Sequence, residues 1–315
     1  MNSRSRLLAL AALGVLTACG STSSPPASTG GPTKQDSIAA EVPSDIKAKG
    51  ALQVGIDATY APNESIDPDT GQIVGWDIDL GNAIGAVIGI RFSWNNADFS
   101  SIIPDIGTRY DIGISSFSPT TEREKTVDFI TYYKAGEQWF VKAGGPQISS
   151  PADLCGQTVA VETGTTEEAD AYGYMGKNPD GSSIRGDADH CKAAGKADIM
   201  VHSFTKQTDA NADLLSGHSQ VGWVDQPVAA YQVKLSNGQL QLSGQPCSIA
   251  PYGMALPKGS PLEKAIQDAL KYLIDNGFYT TILKKYAVDS GGIASADVAL
   301  NVNSLPNQPS CVPTY

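Results

Sequence analysis

Asp111-Ile112-Gly113-Ile114-Ser115-Ser116-Phe117-Ser118-Pro119-Thr120-Thr121-Glu122-Arg123-Glu124 and Val159-Ala160-Val161-Glu162-Thr163-Gly164-Thr165-Thr166-Glu167-Glu168 follow one design. In each, a short apolar run ends, small residues follow, and a Thr stands three positions ahead of a Glu: Thr121 with Glu124, Thr165 with Glu168. That is capping-box spacing, and it predicts a helix N-terminus just past the carboxyl end of a strand. Such a terminus offers free backbone N–H groups to an anion, and strand-end crevices are where open α/β sheets hold ligands. Taken singly, a capping box is more often structural than functional.

Arg123 shifts that balance. It falls in the first turn of the expected helix, where the dipole disfavours a cation, although Glu122 and Glu124 partly offset this. A planar guanidinium there can hold a ligand carboxylate through two hydrogen bonds, with loop N–H groups and Ser or Thr hydroxyls filling the remaining lone pairs. On spacing alone, an exposed Arg paired with neighbouring acids is the better reading.

Outward from these segments, β-patterned and helical runs alternate. Leu52 to Ile56 reads as strand, Asp79 to Ile88 as helix, Asp111 to Ile114 as strand, and a helix is expected after Thr121. A second cycle begins at Thr158-Val159-Ala160-Val161, passes a helix after Thr165, and returns through Ile199-Met200-Val201 and Val221-Gly222-Trp223-Val224. This is α/β architecture in two similar lobes. Lys142-Ala143-Gly144-Gly145-Pro146 breaks both periods and reads as a first crossing between lobes, with a return near Gly244 to Pro251. The expected boundaries are 44–142 and 249–300 for lobe 1, 143–248 for lobe 2, and 301–315 for a C-terminal tail. A last helix is expected from Ser260 to Asn276, with Ser260 as N-cap and Leu262, Ile266, Leu270, Leu273 and Ile274 on one packing face.

Composition excludes several classes. The 315 residues are 41% hydrophobic and 17% charged, which suits one large domain or two modest ones. A net charge of -11 disfavours phosphate backbones, so no nucleic-acid partner is expected. There is no HExxH, CxxC pair, Walker loop or GxSxG, and the three histidines His190, His202 and His218 lie outside any such motif. No metal site and no cofactor are expected.

The amino terminus reads as an address. Arg4 and Arg6 precede an apolar run from Leu7 to Leu16, too short for a permanent bilayer span. The run ends in Leu16-Thr17-Ala18-Cys19-Gly20, which resembles the lipobox of bacterial lipoproteins; the resemblance implies a signal peptide over 1–18 and acylation of Cys19 with palmitate-type chains. Residues 19–43, rich in Ser, Thr, Pro and Gly, are expected to be a tether reaching on the order of 25 Å from the membrane. Four further cysteines, an even number in an exported chain, favour two disulfides. Chain proximity and the lobe reading pair Cys155 with Cys191 and Cys247 with Cys311, although three connectivities are open.

The body from about Gly50 to Tyr286 resembles the polar amino-acid family of ABC-transporter substrate-binding proteins. The matching stretches are Val54 to Pro62, Gly71 to Leu80, Asp98 to Pro104, Asp111 to Asp128, Val159 to Thr166 and Gly217 to Asp225. The resemblance implies a periplasmic-binding-protein-like fold, two α/β lobes joined by two hinge strands with a ligand cleft between them. By position, it implies that Arg123 clamps the ligand α-carboxylate with Ser118, Thr165 and Thr166, that Asp225 pairs with the α-ammonium with Ser116 assisting, and that Tyr60 and Phe99 are aromatic walls. Asp57 lies where relatives contact the side chain, and Glu162 takes the corresponding place in the second lobe. Two carboxylates there favour Arg, Lys or a neutral amide over an acidic ligand. Asn63, where several relatives carry an aromatic, makes the expected pocket atypical.

The resulting expectation is a monomeric, lipid-anchored binding component of an ABC importer on the extracytoplasmic face of the cell membrane, partnered by a membrane permease and making or breaking no bond. Cyclohexadienyl dehydratases resemble the same fold, and Glu162 would then be the cleft acid of an enzyme; a surface module without ligand is a third reading.

Overall fold

A computed structural model describes residues 30–306 and 308–312. The expected signal segment and the lipidation site Cys19 lie outside the described residues. The strands are β1 (Ala51–Ile56), β2 (Thr59–Tyr60), β3 (Glu64–Ile66), β4 (Ile73–Val74), β5 (Arg91–Asn96), β6 (Ile112–Phe117), β7 (Val127–Lys142), β8 (Thr158–Glu162), β9 (Met200–Phe204), β10 (Val221–Asp225) and β11 (Leu240–Pro257). The helices interleave with them: α1 (Asp36–Ala40), α2 (Ser44–Ala48), α3 (Trp76–Ile88), α4 (Phe99–Ile102), α5 (Thr166–Gly173), α6 (His190–Ala193), α7 (Gln207–Ser216), α8 (Gln226–Leu235), α9 (Glu263–Asp275) and α10 (Phe278–Lys285).

Hydrogen bonding runs in the order β5-β1-β6-β11-β7-β10-β8-β9, with β2-β3-β4 as a separate small sheet. The outer strands are parallel within each lobe: β1 with β5 and β6, and β8 with β9 and β10. Between the sets lie β7 and β11, antiparallel to their neighbours and belonging to both lobes. β7 is buried everywhere but Lys134 and Lys142, so it carries no alternation, and Gly136 is its one internal glycine. The strand pairs with β11 along its whole length, from Val127↔Pro257 to Lys142↔Leu240, and from Glu137 to Val141 it also pairs on its other edge with β10 of the second lobe. The first crossing therefore falls at Ala135 to Glu137, earlier than the Lys142–Pro146 expected. The Gly-rich segment after Lys142 is a turn within the second lobe. The return through β11 loses regular register between Ser243 and Ala250, within the expected window.

Each lobe buries apolar side chains on both faces of its strands. In the first, α3, α9 and α10 pack on Trp76, Tyr132, Tyr133 and Tyr252, and Ile102, Phe117 and Phe129 fill the opposite face. In the second, Trp139, Val161 and Trp223 form one core and Phe140, Leu214 and Val228 another. Both disulfides, Cys155–Cys191 and Cys247–Cys311, are present and join this second-lobe core.

Three local expectations differ from the structure. After Thr121 only a short 3-10 turn, Arg123–Lys125, forms, because β7 begins at Val127 and leaves no length for a helix. The helix expected from Ser260 is α9, which starts at Glu263 and is followed by a further helix, α10, while Ser260 caps a preceding turn by accepting the Leu262 N–H (3.3 Å). The tether expected through residue 43 gives way to fold earlier: α1 occupies Asp36–Ala40, and Ala39 and Val42 are buried. Apolar Ile38 and Val42 have a partner surface in the first-lobe core, which offsets their ordering.

Candidate functional site

The parallel strands of both lobes end at one gap, and every ligand residue expected from the sequence lines it. A cavity of about 320 Å³ is walled by Asp57, Tyr60, Phe99, Ser115, Ser116, Ser118 and Arg123 from the first lobe and Glu162, Thr165, Thr166, Glu167 and Asp225 from the second.

At one end Arg123 faces Asp225 across the gap. The Arg123 guanidinium donates to the Ser118 carbonyl (2.7 Å) and, between lobes, to the Gly164 carbonyl (2.7 Å). It lies over the Phe99 ring, 5.4 Å from the centroid, and Phe99 stacks on Phe117. Burial lowers its pKa to about 10, so it stays a cation at neutral pH. The short turn Arg123–Lys125 supplies no helix dipole; the Arg123 N–H is instead fixed by the Thr120 hydroxyl (3.1 Å). Asp225 ends β10 and accepts the Tyr60 hydroxyl proton (3.0 Å), while its N–H donates back to that hydroxyl (3.2 Å). Tyr60 is thus a strut between lobes as well as a wall. Burial raises Asp225 to about 6.

At the other end, Asp57 and Glu162 approach across the gap. Asp57 accepts the Thr59 N–H (3.1 Å), the Thr59 hydroxyl (2.7 Å) and the Phe99 N–H (2.9 Å). Glu162 accepts the Gln207 N–H (2.9 Å) at the start of α7. The Thr59 hydroxyl lies 3.4 Å from Glu162 and also accepts the Gln207 N–H (3.1 Å), so it bridges the two acids. Burial raises both carboxyls, and the Asp57 charge pushes Glu162 further, well above the usual range. Two buried carboxyls held toward each other without a base between them make a site for a cation.

The helix expected after Thr165 is present. The Thr165 hydroxyl accepts the Glu168 N–H (3.2 Å) and donates to the Glu162 carbonyl (2.7 Å), and Glu168 accepts the Gly164 N–H (2.7 Å). That hydroxyl is therefore occupied, and the Thr166 hydroxyl donates to Glu167 (3.3 Å). Gly164 has φ +85, and a Cβ there would meet Ser100 Cβ of the first lobe at 2.9 Å. The lobes touch at this point.

Ser116 lines the cavity, but its hydroxyl accepts from Asn63 (2.8 Å) and donates to Asp77 (3.3 Å), pointing into the first-lobe core. Asn63 also accepts the Trp76 indole N–H (2.7 Å); it joins core elements and does not wall the cavity. Sequence reasoning missed Ser115, Glu167, Thr59 and Gln207. Glu167 lay inside the quoted segment, hidden as one of two acids in a helix's first turn, yet it is buried and burial with the Asp225 charge raises its pKa well above the usual range. Gln207, a lone residue at a helix start, carried no signal.

Two α/β lobes whose strand ends close on a small, acid-rich, amphoteric gap define a solute-binding protein. The sequence profile of the bacterial extracellular solute-binding proteins, family 3, matches residues 52–289, and the chain belongs to that family. It is similar to the arginine-binding protein ArgT of Corynebacterium glutamicum, 34% identical over 256 residues spanning 81% of this chain and 80% of the relative. Among solved structures it is similar to an ancestral arginine-binding protein bound to arginine, with 33% identity and TM-score 0.66 over 75% of this chain and 98% of the other. An ancestral amino-acid-binding protein described as a precursor of cyclohexadienyl dehydratase is also similar, with 29% identity and TM-score 0.65 over 77% of this chain and 97% of the other.

Proposed function

We propose that the chain is the substrate-binding component of an ABC importer for a cationic amino acid, arginine foremost, held outside the membrane by an acylated Cys19. The reading is carried by the carboxyls of Asp57 and Glu162, which meet across the cavity at the Thr59 hydroxyl. In it, the ligand carboxylate meets Arg123, the α-ammonium meets Asp225, the aliphatic stem runs between Tyr60 and Phe99, and the guanidinium lies between Asp57 and Glu162. Ligand touches both lobes only in the closed form, so binding shifts the population toward the shape a permease reads. Arginine-binding relatives support the ligand choice.

Titration calorimetry against the twenty amino acids tests it. Arginine is expected to bind most tightly, lysine and glutamine more weakly, and glutamate not at all; tight glutamate binding with no arginine binding would overturn the reading. Replacing Cys19 by Ala is expected to release the protein from membranes, and a variant that stays membrane-bound would remove the anchor. The similarity to a dehydratase precursor and the raised Glu162 carboxyl favour one second reading, a cleft acid in an enzyme. Prephenate turnover by purified protein decides that reading.

A further inference from the structure

The family profile stops at residue 289, yet the described chain continues through 312. That continuation is fastened to both lobes. On the first, Leu300 bridges to Ile130, Asn301 donates its N–H to the Phe129 carbonyl (2.9 Å), and its side chain accepts the Phe129 N–H (2.8 Å) and donates to Asp128 (2.8 Å). Asn303 then donates to Glu124 (3.2 Å), the residue after the Arg123 clamp. On the second, Cys311 is disulfide-bonded to Cys247 of β11 and donates its N–H to the Ser248 hydroxyl (2.9 Å). The Ser248 N–H donates to the Pro309 carbonyl (2.6 Å), and Cys311 and Val312 are buried in the second-lobe core.

We propose that residues 303–311 form a strap, a third covalent connection between the lobes beside β7 and β11, which limits how far the cleft opens. Residues 303–305 and 308–310 wall one side of a groove whose other walls include Ser118, Pro119 and Thr120 from the first lobe, Thr166 and Asp170 from the second, and the crossing residues Ala135, Glu137 and Ser248 to Ala250. Opening about these crossings draws the first-lobe anchor at Asn301 and Asn303 away from the second-lobe core that holds Cys311 and Val312. The connection from Asn303 to Cys311 is eight peptide steps, so at about 3.3–3.6 Å each it cannot span more than roughly 28 Å. Pro306 and Pro309 further narrow its conformations. The disulfide makes the far anchor covalent, beside buried Val312 and the hydrogen bonds of Ser248. A strap of this kind removes wide-open conformations and keeps the free protein nearer to the closed form.

The test needs no ligand. Spin labels are placed on exposed Thr108 and Thr208, in opposite lobes, and interlobe distances are measured by pulsed electron resonance on the full chain. Six Gly/Ser residues inserted between Ser304 and Leu305 add up to about 20 Å of slack and remove neither anchor. The long end of the distance distribution is expected to extend by on the order of 5 Å or more, and Cys247→Ser with Cys311→Ser to extend it similarly. Because the insertion leaves every anchoring contact and the disulfide in place, it decides the matter if the double Ser variant misfolds. Superimposable distributions for the wild type and the insertion overturn the proposal.

Discussion

Replacing Glu162 by Gln isolates the contribution that distinguishes a cation from an amide. The side chain keeps its shape, its oxygen can still accept the Gln207 N–H, and only the charge and its proton are removed. A hydrogen bond to a charged partner contributes about 1.5–3 kcal/mol, which corresponds to roughly 10- to 150-fold in affinity. The gain realised at pH 7 is smaller, because burial and the Asp57 charge hold Glu162 well above the usual carboxylate range, and an arriving guanidinium must displace its proton. We therefore expect the dissociation constant for arginine to rise by roughly tenfold at pH 7, toward the low end of that range, and by more at pH 8.5. Glutamine affinity should change by less than about threefold, since a neutral amide gains little from the charge. Removing a buried carboxyl is close to neutral for the free fold, so the ligand-free melting temperature should hold while the arginine-induced shift shrinks. Calorimetry in buffers of different ionisation enthalpy reads affinity and proton release together. Unchanged arginine affinity and unchanged proton release in the variant would refute the placement of the cation at Glu162.

Asp225→Asn removes the ammonium's counter-charge while leaving an acceptor for Tyr60, and arginine affinity should fall by roughly 10- to 100-fold. The same substitution should leave 5-guanidinopentanoate, which lacks the α-amino group, nearly unaffected in calorimetry; an equal loss for both ligands would mean a general packing defect. Gly164→Ala puts a methyl group against Ser100 in the closed form and an L side chain at positive φ in both forms. Affinity should drop by about tenfold with a modest fall in melting temperature, whereas equal affinity would show that the lobes do not meet there in solution. For pH dependence, binding favours the deprotonated form of Asp225, whose pKa in the free protein is about 6. Arginine affinity should accordingly fall as pH drops through 6, by at most about tenfold per pH unit for one proton, and a rise in affinity on acidification would reverse the argument.

Strand ends and capping spacing marked the segments around Arg123 and Thr165, and the remaining cavity residues were legible only through the family resemblance, which matches them by position. Asp225 stands at the end of β10, Asp57 directly follows β1, and Arg123 lies in the short turn that leads from β6 into β7. The crossing at Ala135 to Glu137 was missed although Lys134, which is exposed, and Gly136 mark it: the longer Gly-Gly-Pro break after Lys142 is the stronger turn signal, and a lone Gly inside a strand marks only the close approach of the Cys247 carbonyl. The Thr121–Glu124 spacing misled for a related reason: a capping motif states where a helix can start, and the onset of β7 decides that none propagates. Ser116 was placed correctly at the cavity wall, yet its φ of 53 and its bonds to Asn63 and Asp77 turn the hydroxyl inward, a matter of tertiary packing that spacing does not encode.

The charges around the cavity constrain its ligand beyond any single contact. Arg123 is the one base among the lining residues, against Asp57, Glu162, Glu167 and Asp225. Each of these acids is raised by burial first, and Glu162 and Glu167 are further raised by acidic neighbours. Burial thus favours protons on these acids in the free site, and a bound cation opposes that shift. A neutral zwitterion offers one ammonium, which relieves only the Asp225 and Glu167 end. A cationic amino acid also places positive charge between Asp57 and Glu162, where it competes with a bound proton. Arginine and glutamine should consequently differ in the number of protons released on binding, even where their affinities are close. Proton release reports where the side chain sits more directly than affinity does, because affinity also contains stem burial against Tyr60 and Phe99. Glutamine releasing as many protons as arginine would mean that the charge at the side-chain end is not what the site reads.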